Sequence, residues 1–473
     1  MILNSWRSDK LKTMMVGFWL LTVFFGFFGS TILLVKVPGL PALYPFRVLL
    51  PITAILYTVW TVREKRNPWK AASFTQRVCY ILCVILAVYS TLSLFSAIDF
   101  EFTSTLWITL CFDLVYFYLG LELCTDRKLF RVTLQSALIA MFVHMAMGIR
   151  EIFFGGYFTN LFFENFWFFG HHFNSPSVSA GNPNDYSMML VFLLALFLLY
   201  WAWQGREEKV GWIPVALIAP VYFLIFASLG RLCTLAFWIL VIAFALYCLT
   251  SKKKTYRVLL PAMVLLALTM AFATYGRNYK QLYVPEQKSV LLMEMNGEAI
   301  QPSAETLVLA DSPRAQPVAL EAYVAEPGRH RSSESIRMDM LIHTLDCFID
   351  SRGMGVGLGN TAQLAKPSAE SRDGVWAVHC FLARMGADFG IWFLIPLAVV
   401  AFKLLQFGVE FTWQELKKRN WENAMTGVLY LSTILVYPIA STAAGDAQNS
   451  LAMWLFLCGI VLFPVHVRET AQM

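Results

Sequence analysis

The stretch GMGVGLGN at residues 353–360, followed by WAVHCFLARMGADFGIWFL at 376–394, sets a glycine-punctuated turn directly ahead of an apolar run. Gly355, Gly357 and Gly359 alternate with apolar residues in the turn, His379 is the one histidine of the second segment, and Gly390 stands at the mouth of the run. Everything from 276 to 388 is polar enough for water, whereas 389–407 is apolar enough for lipid. The junction between them is where water-exposed chemistry meets a membrane.

Working outward, the composition agrees. Of 473 residues, 58% are hydrophobic, 15% aromatic and only 14% charged; soluble domains carry about a quarter charged residues. A span needs roughly 20 largely apolar residues. That rule predicts twelve helices, at 13–35, 41–61, 78–97, 105–124, 132–153, 186–203, 211–229, 233–250, 258–275, 389–407, 425–443 and 449–467. The second carries Pro41, Pro45, Arg47 and Pro51, and the fifth His144 and Arg150, so these two are the least regular. The fold class is an all-α membrane protein with a large loop domain between helices 9 and 10. Its parts are 1–275 (nine helices, with a loop at 154–185), 276–388 (the large loop) and 389–473 (three helices).

Loop charge orients the chain. Arg7, Lys10 and Lys12 precede the first span, and Arg63, Lys65, Arg66, Lys70 and Arg77 follow the second. Arg127, Lys128 and Arg131 follow the fourth, Lys252, Lys253, Lys254 and Arg257 the eighth, and Lys417, Lys418 and Arg419 the tenth. All fall on one side if the N-terminus is cytoplasmic, which puts both termini inside and both long loops outside. The opposite short loops, IDFEFTS and AAGDAQN, hold no lysine or arginine. The net charge of +6 thus reflects topology and calls for no nucleic-acid partner. The first span has no small-residue cleavage site at its far end and reads as a retained helix.

Seven of nine cysteines (Cys79, Cys83, Cys111, Cys124, Cys233, Cys248 and Cys458) sit in apolar runs. This is neither a disulfide framework nor a zinc pattern. Cys347 and Cys380 lie outside the spans, which leaves a bridge between them open. Within the large loop, Gln287 to Pro327 reads either as a small strand-rich insertion or as a flap. From Glu334 to Ile349 the residues Ile336, Met340, Leu341, Leu345 and Phe348 recur at helical spacing, predicting an amphipathic helix that ends at the glycine turn.

Arg231, in SLGRLCTL between the seventh and eighth spans, reads as a functional intramembrane cation or as an arginine snorkelling to headgroups. Arg337 on the amphipathic helix reads as a solvated charge or as one arm of a phosphate clamp, for which a planar guanidinium is suited. His379 reads as a structural histidine or as a base that takes a proton from a sugar hydroxyl. Asp388 orients a partner or caps the tenth span. His171 and His172 have no carboxylate or cysteine at ligand spacing, so no metal is expected there. Pro183 forms a turn with Asn184, and Asn184 or Asp185 is expected to cap the sixth helix. Arg150 and Glu151 read as a salt-bridged pair. Phosphate-binding loops, HExxH and GxSxG are absent, which gives nucleotide-driven and hydrolase readings no support.

Taken in order, GNPNDYSMML (181–190), the Gly230–Arg231 pair, IRMDMLIHTLDCFIDSRGMGVGLGN (336–360) and HCFLARMGADFGIW (379–392) resemble the bacterial O-antigen ligase/polymerase superfamily of polytopic glycosyltransferases. The resemblance covers roughly residues 180–400. It implies transfer of an undecaprenyl-pyrophosphate-linked glycan to a glycan or lipid-glycan acceptor on the outer face of the bacterial plasma membrane, with no metal and no cofactor. It further implies that Arg231 and Arg337 hold the donor pyrophosphate and His379 activates the acceptor. Asn184, Gly355, Gly357 and Asp388 support them. Membrane lipid, a flippase and a chain-length regulator are the accompanying partners. Three departures stand out: Cys380 replaces an asparagine, Asp388 a more usual glutamate, and Gly230 separates Arg231 from its serine. A flippase or other multi-span transporter is the competing reading, and a non-catalytic assembly protein another. Two six-span halves joined by a cytoplasmic loop would mark a transporter, whereas here the long loop is external and follows the ninth span.

Overall fold

The computed structural model describes residues 9–29, 32, 43–154, 165–168, 171–180, 182–204, 213–251, 254–281, 333–370, 380–443 and 450–472. Among the described residues, ten α-helices precede residue 282: α1 (Lys10–Gly26), α2 (Pro45–Arg63), α3 (Pro68–Ala71), α4 (Phe74–Ser93), α5 (Phe100–Leu123), α6 (Arg127–Phe154), α7 (Pro183–Gln204), α8 (Ile213–Ala227), α9 (Arg231–Thr250) and α10 (Lys254–Gln281). Then come α11 (Ser333–Asp350), α12 (Asn360–Glu370), α13 (Phe381–Phe389), α14 (Ile391–Lys417), α15 (Trp421–Ala443) and α16 (Leu451–Gln472). Each of the twelve expected spans overlaps a helix, although α1 ends at Gly26 where the expected first span reaches 35, and among the described residues nine helices are long and apolar enough to cross a membrane. This is an all-α, multi-pass membrane protein. Among the described residues the one addition is an antiparallel hairpin, β1 (Asn165–Phe168) and β2 (His171–Asn174), with Trp167 opposite His172.

Several boundaries move for local reasons. The second span begins at Pro45 rather than 41, because proline is suited to the first helical position where no N–H is needed. Helix α8 has only 15 residues. It stops where Leu229 turns left-handed (φ 55°) ahead of Gly230. Helix α10 runs on to Gln281, beyond the expected end at 275. Residues 282–332, including the segment Gln287–Pro327, lie outside the described residues.

Helix α7 is the axis. Its run SMMLVFLLALFLLYWAW is apolar on every side, the pattern of a helix surrounded by others, and 89% of its span is buried. It packs on α8, α9, α15 and α16. Helix α14 is the opposite case, with only 22% of its span covered. Lipid is as apolar as leucine, so helices associate through close packing and buried polar contacts. Trp19 donates to Thr133 Oγ1 at 2.9 Å, and Tyr247 to the Ala202 carbonyl at 2.9 Å. His144, the irregular residue of the fifth span, is fully buried with Nε2 2.9 Å from the Phe27 carbonyl.

Glu122 gathers a buried polar cluster between α2, α4 and α5. It accepts from Tyr57 (2.9 Å) and Tyr80, and Arg66 approaches to 3.6 Å. Tyr57→Phe deletes one hydrogen bond to a charged acceptor and should cost about 1.5–3 kcal/mol. Glu122→Ala also leaves two hydroxyls and Arg66 without their acceptor, and should cost roughly 3–5 kcal/mol. Thermal unfolding of the purified protein in detergent should rank the two in that order.

Candidate functional site

The glycine turn and the Asp388 segment form one unit. Arg352, Gly353, Gly355, Gly357 and Gly359 all have positive φ, the last four at 77°, 90°, 98° and 78°. Glycine reaches this region without the Cβ penalty, so alternate glycines coil the chain tightly enough to expose its N–H groups on one side. Those groups find acceptors on 387–388. Val356 donates to the Ala387 carbonyl (2.9 Å) and Gly357 to the Asp388 carbonyl (3.0 Å). Gly359 donates to Asp388 Oδ2 at 3.1 Å, and the Thr361 hydroxyl and N–H to Oδ1 at 2.6 and 3.3 Å. In return, Ile391 donates to the Gly353 carbonyl at 2.9 Å.

Asp388 therefore does not cap the tenth span. Helix α14 has Gly390 as its N-cap, with no side-chain cap, and the carboxylate serves the start of α12 instead. It is fully buried, and Arg384 Nε lies 3.8 Å from Oδ2. Burial pushes the Asp388 carboxyl up from its ordinary value, while Arg384, Thr361 and Gly359 pull against that shift. Gly390 takes φ 61°, ψ −146°, a combination open essentially to glycine alone. A Cβ there would run into the Gly353 carbonyl oxygen, and one on Gly355 would lie 2.6 Å from the Asp388 carbonyl oxygen.

This unit is bolted to the first half of the chain. Tyr89 of α4 donates to the carbonyls of Met354 (2.9 Å) and Gly355 (3.0 Å). Asn360 donates to the Ser96 carbonyl at 3.1 Å and accepts from the Ile98 N–H at 3.1 Å. His343 on α11 donates from Nε2 to the Thr361 carbonyl at 3.1 Å. Cys347, beside it, and Cys380 are free thiols, so no bridge joins them. Burial pushes the Cys347 thiol up to about 11, with the carboxylates of Asp388, Asp350 and Asp346 adding to the effect.

The second half of the site is the meeting of first turns. Helix α7 is capped by Asn182, not by Asn184 or Asp185: Asn182 Oδ1 accepts from the Asn184 N–H at 2.8 Å, and its carbonyl accepts from Tyr186 at 3.1 Å. Pro183 occupies the first helical position. Ser187, one turn on, faces Gly230, where a Cβ would sit 2.5 Å from the serine oxygen. Arg231 is thus the first residue of α9, solvent-exposed, against the first turn of α7. Glu422 at the start of α15 accepts from Tyr247 near the end of α9, so the two helices run antiparallel. The end of α15 therefore lies beside Arg231, and Thr442 there is 3.8 Å from Cys380 Sγ. One end of the bundle collects Asn184, Arg231, Cys380, Asp388 and the glycine turn.

A strained loop supports that end. Val178 has φ 48°, a genuine outlier for a β-branched residue. Fully buried Glu151 holds it by accepting from the N–H groups of Ser177 and Val178, both at 2.9 Å.

Of the expected site residues, Gly355, Gly357 and Asp388 are brought together, and Asn184 stands on the first turn of α7, which meets the start of α9 through Ser187 and Gly230. Arg337 lies on α11, its side chain outside the described residues, and His379 itself is outside them. Sequence reading missed Tyr89, Asn182, Asn360, Thr361 and Arg384. Only Arg384 had a local signal, standing one helical turn before Asp388.

Comparison with known proteins adds two findings. Residues 215–398 match the family model described as O-antigen ligase. Over 143 residues, 30% of this chain, the sequence is 26% identical to the teichuronic acid biosynthesis protein TuaE of Bacillus subtilis (strain 168). That match spans 28% of the relative's own length.

Asp388→Ala leaves Gly359, Thr361 and Arg384 facing an empty acceptor site and should cost roughly 3–5 kcal/mol. Asp388→Asn keeps one acceptor oxygen and should cost less. Unfolding midpoints, together with protease cleavage at 353–361, measure both. Cys347, neutral at pH 7 and buried, should resist maleimide in the folded protein and react on unfolding.

Proposed function

We propose that this chain, residues 215–398 of which match the O-antigen ligase family model, is a membrane glycosyltransferase of surface-polysaccharide assembly. The donor is an undecaprenyl-pyrophosphate-linked glycan and the acceptor a glycan or lipid-glycan. The reaction takes place on the outer face of a bacterial plasma membrane, with both termini inside. A flippase to deliver the donor and a chain-length regulator are the partners such a reaction calls for.

The observation that carries this reading is the collection of one polar constellation at a single end of an apolar bundle, inside the stretch that matches the ligase family. Arg231 stands exposed there, at the start of α9. The segment holding His379 runs directly into Cys380, which opens α13 (Phe381–Phe389). That helix is held against the glycine turn by Asp388.

The chemistry follows from the bond that breaks. The acceptor oxygen attacks the anomeric carbon, the carbon–oxygen bond to pyrophosphate breaks, and the hydroxyl proton passes to His379. The pyrophosphate leaves with its electron pair, and Arg231 with Arg337 neutralises the charge that develops. Pyrophosphate is already a good leaving group, so positioning and charge neutralisation supply most of the catalysis. This assignment needs no metal.

Three experiments test it. Lysine should replace Arg231 or Arg337 poorly, because it lacks the bidentate fork; loss of one charged hydrogen bond in a desolvated site costs on the order of 2–4 kcal/mol, or about 30-fold to several hundred-fold in rate. Near-normal transfer by Arg231→Ala returns that residue to the snorkelling reading. His379→Gln should lose ~100- to 10,000-fold while the protein still inserts and binds donor. For topology, Ser303→Cys should react with an impermeant maleimide on intact spheroplasts, and Asn420→Cys only after permeabilisation.

A further inference from the structure

Helix α11 presents three sectors. Met340, Thr344 and Cys347 are buried at 5%, 3% and 5% exposure, on the side that packs against α13. Asp339, Asp346 and Asp350 form a second strip. A third strip is wholly apolar and open: Met338, Ile342, Leu345 and Ile349 are 57%, 51%, 56% and 59% exposed. Their spacing of four, three and four residues aligns them on one face of a helix.

The depth of this face is set by the backbone. Four residues beyond Ile349, the Gly353 carbonyl accepts from Ile391, the first residue of α14. A Cβ on Gly353 would lie 3.4 Å from Phe348 and 3.6 Å from Ile391, so the end of α11 touches the start of the span. The outward face of α14 begins at that level with Trp392 (42% exposed) and Ile395 (59%). Lipid covers that face, since α14 buries so little of itself in the bundle, and tryptophan is a residue of the membrane–water boundary. The open strip of α11 continues the same apolar surface. A helix rising into water would instead leave four large apolar side chains in a row against solvent, the arrangement that marks an interaction surface.

We propose that α11 lies along the membrane surface, with Met338, Ile342, Leu345 and Ile349 seated in the acyl chains of the leaflet at the site's end of the bundle. The acidic strip then turns toward water, away from the apolar layer, which sets the rotation of the helix about its axis. Helices of this kind sink their apolar face by about 5–10 Å into the boundary between headgroups and acyl chains. Arg337 immediately precedes Met338. Its backbone is thereby held at headgroup depth, where the pyrophosphate of a membrane-embedded donor lies. This consequence rests on the function proposed above, whereas the placement of the helix does not.

The test is spin-label accessibility in the full-length protein, in vesicles of phosphatidylethanolamine and phosphatidylglycerol. Ile342→Cys, Leu345→Cys, Ile349→Cys and, for comparison, Asp346→Cys are each labelled, with the unsubstituted protein as the blank for native thiols. At the three strip positions collision with oxygen should exceed collision with a water-soluble nickel chelate severalfold, and at Asp346→Cys the order should reverse. Nickel contact at the strip equal to that at Asp346→Cys would put the helix in water and overturn the proposal. Shielding from both reagents would also overturn it, by showing that residues 282–332 or a second copy of the chain cover the face. Benzoylphenylalanine placed at Leu345, with the native cysteines kept, gives an independent reading: irradiation should attach radiolabelled phospholipid, and attachment to protein alone speaks against the leaflet. Neither readout depends on glycan transfer, so failure here is separable from failure of the functional reading.

Discussion

A carboxylate cut off from water must receive its hydrogen bonds from the protein, and Asp388 receives them from a segment about thirty residues earlier in the chain. Gly359 and Thr361 donate to its side chain and Gly357 to its backbone carbonyl. The rest of the site end depends on this arrangement. It closes α11, the turn, α12 and α13 into one body and seats that body on the first turn of α14. Charge-assisted hydrogen bonds are roughly twice as strong as neutral ones, and a buried network of this kind fixes the geometry of the groups it joins. The glycines are the other half of the same constraint, since only a chain without Cβ atoms at 355 and 390 lets the two backbones touch.

That body is anchored at both ends of the sequence. Tyr89 and Asn360 tie it to α4 and to the α4–α5 connection, while Cys380 meets the end of α15. The helices it joins are far apart in the chain, so the site end of the bundle forms only once the whole set of spans has assembled. Arg231 reaches the same end by another route, through the close approach of Gly230 to Ser187 that brings α9 onto α7. Buried α7 acts as the shaft on which both routes turn. The strained Val178, held by Glu151, belongs to the same economy of positions, with a local cost of about 1–3 kcal/mol tolerated where the surrounding contacts over-determine the backbone.

The lipid environment completes the picture. Helix α14 has little protein around it, and α11 ends where α14 begins. Membrane boundary, amphipathic helix and glycine turn therefore converge within a few residues of Gly353. The reaction proposed above, from a lipid-anchored donor to a glycan or lipid-glycan acceptor, calls for such a meeting place between apolar and aqueous phases.

Much of this was legible from the chain alone, for a physical reason. An apolar run of span length is a local property, and so is a helical period such as that of Ile336 to Phe348; each announces its element without knowledge of any partner. Prolines and glycines located the breaks for the same reason, and the family likeness rested on contiguous motifs. Tertiary structure decided what depends on distant partners. Asp388 read as a helix cap because capping is the local use of an aspartate before a span, yet its acceptors serve residues 359 and 361. Asn184 read as the cap of α7 while Asn182 holds that role, since a cap is fixed by backbone angles that composition does not reveal. Tyr89, Asn360 and Thr361 carried no signal at all, because a tyrosine in an apolar helix and an Asn–Thr pair after a glycine become significant only when the fold lays them against backbone hundreds of residues or a whole loop away.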